Sequence, residues 1–145
     1  MDDVKIEYCW DGYNCIEEKI TSLEQLEMRL NELKKTWAVE HNSSGLKRIA
    51  TVDVVIENVG RISISLDEKC ILIFYDEVED YFLTSLGNPS FGGSTEDLED
   101  LYDFGQPAES SNQYIVSYKD GLDALKEWIV TKKLSRKIEW TDEIF

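Results

Sequence analysis

Apolar and polar residues alternate from the start of the chain. Val4, Ile6, Tyr8 and Trp10 fall on one side of an extended segment, with Lys5, Glu7 and Cys9 between them, which predicts a half-buried strand. Asp11-Gly12 turns the chain. The period then lengthens. Leu23, Leu26, Leu30, Leu33 and Trp37 recur at spacings of three and four, so an amphipathic helix packs through one stripe. Either Thr21 or Ser22 could cap it, each followed three residues later by an acid or amide.

Strand patterning returns at residues 49–56, rich in β-branched side chains, and continues at 61–66, 70–75 and 81–86. The breaks at Asn58-Val59-Gly60 and Asp67-Glu68-Lys69 are short, which implies an antiparallel meander. Residues 87–113 read as a mostly irregular connection with one helical turn near Thr95, and a connection of that length is often functional. Residues 114–118 resume a strand. Asp120 then caps a second helix with Leu122, Leu125, Trp128 and Ile129 inward, and residues 138–140 close the chain as a strand. The expected fold is α+β: a mostly antiparallel β-sheet packed by two amphipathic helices, one domain over residues 1–145.

Charge narrows the function classes. Thirty acidic residues stand against 15 basic ones, a formal net charge of -15 and a pI near 4.3. Phosphates would be repelled, so nucleic acid and anionic membranes are not expected as direct partners. No apolar run approaches the roughly 20 residues that span a bilayer, and no basic segment followed by an apolar one opens the chain, so the expected location is cytoplasmic. Cys9, Cys15 and Cys70 are an odd count without dense spacing, which predicts no disulfide framework; Cys70 begins an apolar run and is expected to be a buried small hydrophobe.

Motifs for catalysis are scarce. The single histidine, His41, is expected in a polar loop, with neither a G-x-S-x-G elbow nor an H-E-x-x-H motif in the chain. No close cysteine pair supports zinc, no glycine-rich loop cradles phosphate, and residues 97–103 lack the glycine and terminal glutamate of an EF-hand loop. We expect no enzyme, no metal and no cofactor.

What remains is where the acids fall. Residues 70–118 contain no Lys or Arg and ten acids, so this window carries -10 of the total -15. Aromatic residues are interleaved with the acids. Carboxylates around a few aromatic anchors describe a surface that steers a basic protein and holds it by desolvated contacts. The candidate partner-binding residues are Asp76, Glu77, Glu79, Asp80, Tyr81, Phe91, Glu96, Asp97, Glu99, Asp100, Tyr102, Asp103 and Phe104.

The stretch Tyr118-Lys119-Asp120-Gly121-Leu122-Asp123-Ala124-Leu125-Lys126-Glu127-Trp128-Ile129, with Thr131 and Ile138-Glu139-Trp140, resembles immunity-protein family one of bacterial polymorphic toxin systems. The resemblance covers most of the chain by layout and residues 114–140 by residue pattern. It implies an α+β immunity protein that binds and neutralises a cognate toxin, in this family frequently a nucleic-acid deaminase. Trp128 and Trp140 would then pack the helix onto the sheet. An acidic surface over the toxin's basic substrate channel fits that role. A nucleic-acid-mimicking adaptor of a host protein is the alternative expectation.

Overall fold

The computed structural model describes residues 3–9, 14–41, 49–86, 98–103, 106–111 and 114–142. In chain order these form β1 (Val4–Tyr8), β2 (Ile16–Lys19), α1 (Leu23–His41), β3 (Ile49–Ile56), β4 (Gly60–Ser65), β5 (Lys69–Cys70) and β6 (Leu72–Asp76). There follow β7 (Tyr81–Leu86), β8 (Leu98–Asp103), β9 (Gln106–Ser111), β10 (Val116–Ser117), α2 (Tyr118–Thr131) and β11 (Glu139–Thr141).

The main sheet runs β11-β7-β6-β4-β3-β1-β2, every neighbouring pair antiparallel. The expected class is therefore correct: an antiparallel sheet with two helices. The hairpin β8–β9 joins it through a short parallel contact with β3, and β5 pairs with β10 as a separate ribbon.

Side-chain alternation gives the sheet two unlike faces. Val4, Ile6, Val52, Val54, Ile62, Ile64, Leu72 and Phe74 form the apolar face, packed in one core with Leu26, Leu30 and Leu33 of α1 and Leu122, Leu125, Trp128 and Ile129 of α2. Trp128 is completely buried and meets Phe74 edge-on, with ring centroids 5.8 Å apart. Trp140 is partly buried against the same core, its indole N–H donating to the Ser135 carbonyl at 3.0 Å.

The helices start where hydroxyls accept the first free amides. Ser22 Oγ accepts from the Gln25 N–H at 3.1 Å, and the Gln25 side chain returns to accept the Thr21 N–H at 2.7 Å. Ser117, not Asp120, caps α2: its Oγ accepts the Asp120 N–H at 3.1 Å. Gly60 opens β4 at φ +156°, and a Cβ there would stand 2.2 Å from the Tyr75 carbonyl oxygen, so only glycine lets β4 and β6 close together.

Residues 16–19, for which the sequence pattern predicts no element, form β2 at one edge of the described sheet. Besides the cap of α2, three expectations are corrected. Residues 98–103 and 106–111 are paired strands rather than irregular chain, while the helical turn expected near Thr95 lies outside the described residues. His41 ends α1 instead of lying in a loop. Cys9 and Cys15 are joined in a disulfide, Cα atoms 4.1 Å apart. The last pair of the β1–β2 ladder is Tyr8 with Ile16, so the next residues outward, Cys9 and Cys15, face each other. Cys70 is the free thiol, fully buried as expected, and burial pushes its pKa up to about 12.

Candidate functional site

Among the described residues no helix packs on the second face of the sheet, and the register sorts its side chains into two rows. One row crosses six strands through Lys19, Lys5, Val55, Arg61, Tyr75 and Phe82. The next crosses seven through Glu17, Glu7, Asp53, Ser63, Ile73, Thr84 and Thr141. Two cations of the first row, Lys5 and Arg61, pair with carboxylates of the second. Lys5 Nζ lies 2.9 Å from Glu7 and 3.3 Å from Glu17, and Arg61 Nη1 lies 3.6 Å from the buried Asp53 carboxylate, which also accepts from Ser63. Toward β7 the face turns aromatic: Tyr75 and Phe82 stack at 4.6 Å with a tilt of 33°.

One end of this sheet is a carboxylate rim. The start of β1, the β3–β4 turn and the β6–β7 turn lie side by side there, because Ile56 pairs with both Val4 and Gly60, and Gly60 pairs with Asp76. Backbone bonds stitch the turns together: Glu57 N–H to the Asp3 carbonyl at 3.2 Å, and Glu77 N–H to the Val59 carbonyl at 3.1 Å. The rim thus collects Asp3, Glu57, Asp76, Glu77, Glu79 and Asp80. Among the described residues, none of the six forms an ion pair. A cleft of about 670 Å³ lies at the rim, its lining a mixture of carboxylates (Asp3, Glu7, Glu17, Glu18, Glu57 and Glu77) and cations (Lys5, Lys19 and Arg61).

The β6–β7 turn is wired by its own side chains. Asp76 Oδ1 accepts the Val78 and Glu79 N–H groups at 2.9 and 2.8 Å, and Asp80 N–H donates to the Asp76 carbonyl at 2.9 Å. Asp80 adopts φ +55°, a left-handed conformation that aspartate tolerates better than most residues. Its carboxylate accepts the Tyr75 hydroxyl at 2.9 Å, and that bond is the main reason the phenol is harder to ionise than usual. Tyr81 points to the other side, edge-on to Phe74, and is also harder to ionise, from burial and the nearby Asp76 charge. Val78 at the tip is 72% exposed, Tyr81 42% and Phe82 48%.

The predicted residues therefore divide. Asp76, Glu77, Glu79, Asp80 and Tyr81 gather on the β6–β7 turn. Glu99, Asp100, Tyr102 and Asp103 belong to β8, which meets β3 at Ile49 and Ala50, the opposite end from the rim at Ile56. Six residues of strand separate these ends of β3, about 20 Å. Phe91, Glu96, Asp97 and Phe104 lie outside the described residues.

Asp3 and Glu57 belong to the surface but are missed by the sequence reading, whereas Tyr75 and Phe82 are among the aromatics interleaved with the acids without being singled out as partner-binding residues. Asp3 and Glu57 sit outside the cation-free window and reach the rim only through strand register. For Tyr75 and Phe82 the register adds that they share one face of the sheet and stack there. Among the described residues no group of three or more metal-binding side chains is found, and no helix is long and apolar enough to cross a membrane. No protein-family model and no curated protein matches the chain.

Proposed function

We propose that this chain is an immunity-type inhibitor that binds a basic protein toxin through the carboxylate rim and the exposed side chains of the β6–β7 turn. The carrying observation is that six carboxylates without ion pairs among the described residues collect at one end of the sheet, four of them on the β6–β7 turn that also carries the exposed Val78 and leads into the exposed Tyr81 and Phe82. Unpaired acids raise the rate of encounter with a basic surface, and apolar side chains at the centre of a contact supply the holding energy. The resemblance of residues 114–140 to immunity-protein family one supports the toxin as the partner. A toxin that acts on nucleic acid presents a basic channel, and the rim would lie over it in place of phosphates.

The test is co-expression with the toxin encoded beside this gene. Growth rescue and a stable complex are expected, and changing Asp76, Glu77, Glu79 and Asp80 to amides is expected to slow association at least tenfold at low salt. A toxin neutralised equally well by the amide variant would sink the role of the rim, and failure of the wild-type chain to bind or rescue would sink the immunity reading itself.

A further inference from the structure

A half-buried and an exposed aromatic ring stack on one face of the sheet, beside carboxylates of the β6–β7 turn. Phe82 is 48% exposed and stacks on Tyr75 at 4.6 Å. On the outer side the described pairing of β11 with β7 stops at Thr84, so among the described residues no strand flanks Phe82 there. On the inner side Arg61 stands opposite Tyr75 in register and is drawn toward Asp53. The chain's own guanidinium on this row is thus engaged by Asp53, and among the described residues the Phe82 end of the slab has no strand beside it.

The carboxylate beside the slab is not a mobile surface acid. Asp80 is fixed by its own N–H bond to Asp76 and by the Tyr75 hydroxyl, which uses one of its acceptor positions and leaves the others for an incoming donor. Glu77 is anchored through its backbone to Val59, and its side chain has no ion-pair partner among the described residues. A flat cation that stacks on an aromatic face and donates in its own plane satisfies both halves of this arrangement. A guanidinium does so, whereas an ammonium is a compact, strongly hydrated charge with no face to stack.

We propose that Tyr75 and Phe82, with Asp80 and Glu77 beside them, form a socket for an arginine side chain of the basic partner and select it over lysine. This rests on the reading of the partner as a basic protein, and it adds the residue by which that protein is held.

The full-length chain is titrated, with backbone amide and aromatic ring NMR signals followed, using three blocked eight-residue Gly/Ser peptides that carry two arginines, two lysines or two citrullines. The arginine peptide is expected to shift the Tyr75 and Phe82 rings and the amides of residues 75–82 saturably. It should bind at least threefold more tightly than the lysine peptide, with the citrulline peptide inert. Phe82→Leu, which keeps an apolar side chain but removes the ring, and Asp80→Asn are each expected to bring the arginine peptide down to the lysine level while amide signals elsewhere stay in place. Equal binding of arginine and lysine peptides, with shifts spread along Asp3, Glu57 and Glu79, would overturn the socket and leave the basic-partner reading standing. If no cationic peptide gives saturable shifts anywhere on the rim, both are overturned.

Discussion

At the residue scale, Gly121 sets how closely α2 approaches β5. A Cβ on Gly121 would stand 2.9 Å from Cys70 Sγ and 3.7 Å from Leu72 Cδ2. Glycine within a helix costs about 1 kcal/mol relative to alanine, but forcing a methyl into a filled core costs roughly 1–3 kcal/mol. Gly121→Ala is therefore expected to destabilise the wild-type protein. In a Cys70→Ala background the sulfur is gone, the methyl has room, and the same change should stabilise. Urea midpoints of the four proteins measure this reversal; the same sign in both backgrounds would refute it.

Glu18 gives a second residue-scale outcome. Its carboxyl is held below the usual carboxylate range mainly by the hydrogen bond from Arg29 Nε at 2.7 Å, against an opposing contribution from burial, with the Tyr8 hydroxyl adding a bond at 3.0 Å. A folded-state pKa below the unfolded one contributes stability above the unfolded value, near 4.3 for glutamate. That stability is lost as pH falls through the lower folded value. Glu18→Gln should therefore cost about 1 kcal/mol or less at pH 7 and flatten the loss of stability below about pH 4.3. Equal acid limbs for variant and wild type would show that the bond to Arg29 contributes nothing.

At the scale of elements, legibility in the sequence follows from whether a segment's own pattern determines its state. The helix stripe of Leu26, Leu30, Leu33 and Trp37 and the alternation of β3 and β4 have one apolar side each, and these elements stand where expected. β2 does not have such a side: Ile16, Glu17 and Lys19 are exposed, and the strand exists because β1 pairs with it. The same holds for β8 and β9, whose polar sequences Leu98–Asp103 and Gln106–Ser111 become strands through each other. Strand formation there depends on a partner distant in sequence, which periodicity does not register. The β6–β7 part of the site was legible as a run of acids, whereas Asp3 and Glu57 join it by register alone.

The disulfide belongs to this scale, since it closes the loop that β1 and β2 define. Cys9 and Cys15 are six residues apart, and a loop that short is worth about 2 kcal/mol in unfolded-state entropy. Cys15→Ser, or reduction by a dithiol, is expected to lower stability by about that amount. Hydrogen exchange should rise first at β2, which among the described residues has β1 as its one sheet neighbour and is otherwise tied by Arg29 to Glu18 and Lys5 to Glu17. Unchanged protection of residues 16–19 after reduction would show that the side-chain ties are sufficient to hold the strand.

For the molecule as a whole, a net charge of -15 is a cost to compactness as well as an aid to capture. The two effects separate at the rim. Asp76 and Asp80 accept hydrogen bonds that build the β6–β7 turn, while the Glu57, Glu77 and Glu79 side chains have neither hydrogen bonds nor ion pairs among the described residues. Changing those three to glutamine removes mutual repulsion and sacrifices no bond. The triple variant should be more stable than wild type by about 0.5–1 kcal/mol at low salt. The gain should shrink as salt rises past 0.1 M, where the screening length falls to about 10 Å. The same variant should capture a basic partner more slowly, since the charges that repel one another are those that attract it. Greater stability with slower capture would identify these glutamates as retained for binding at the expense of the fold. A variant that is less stable at every salt concentration would instead assign them a structural role, and the rim would lose its claim to be a docking surface.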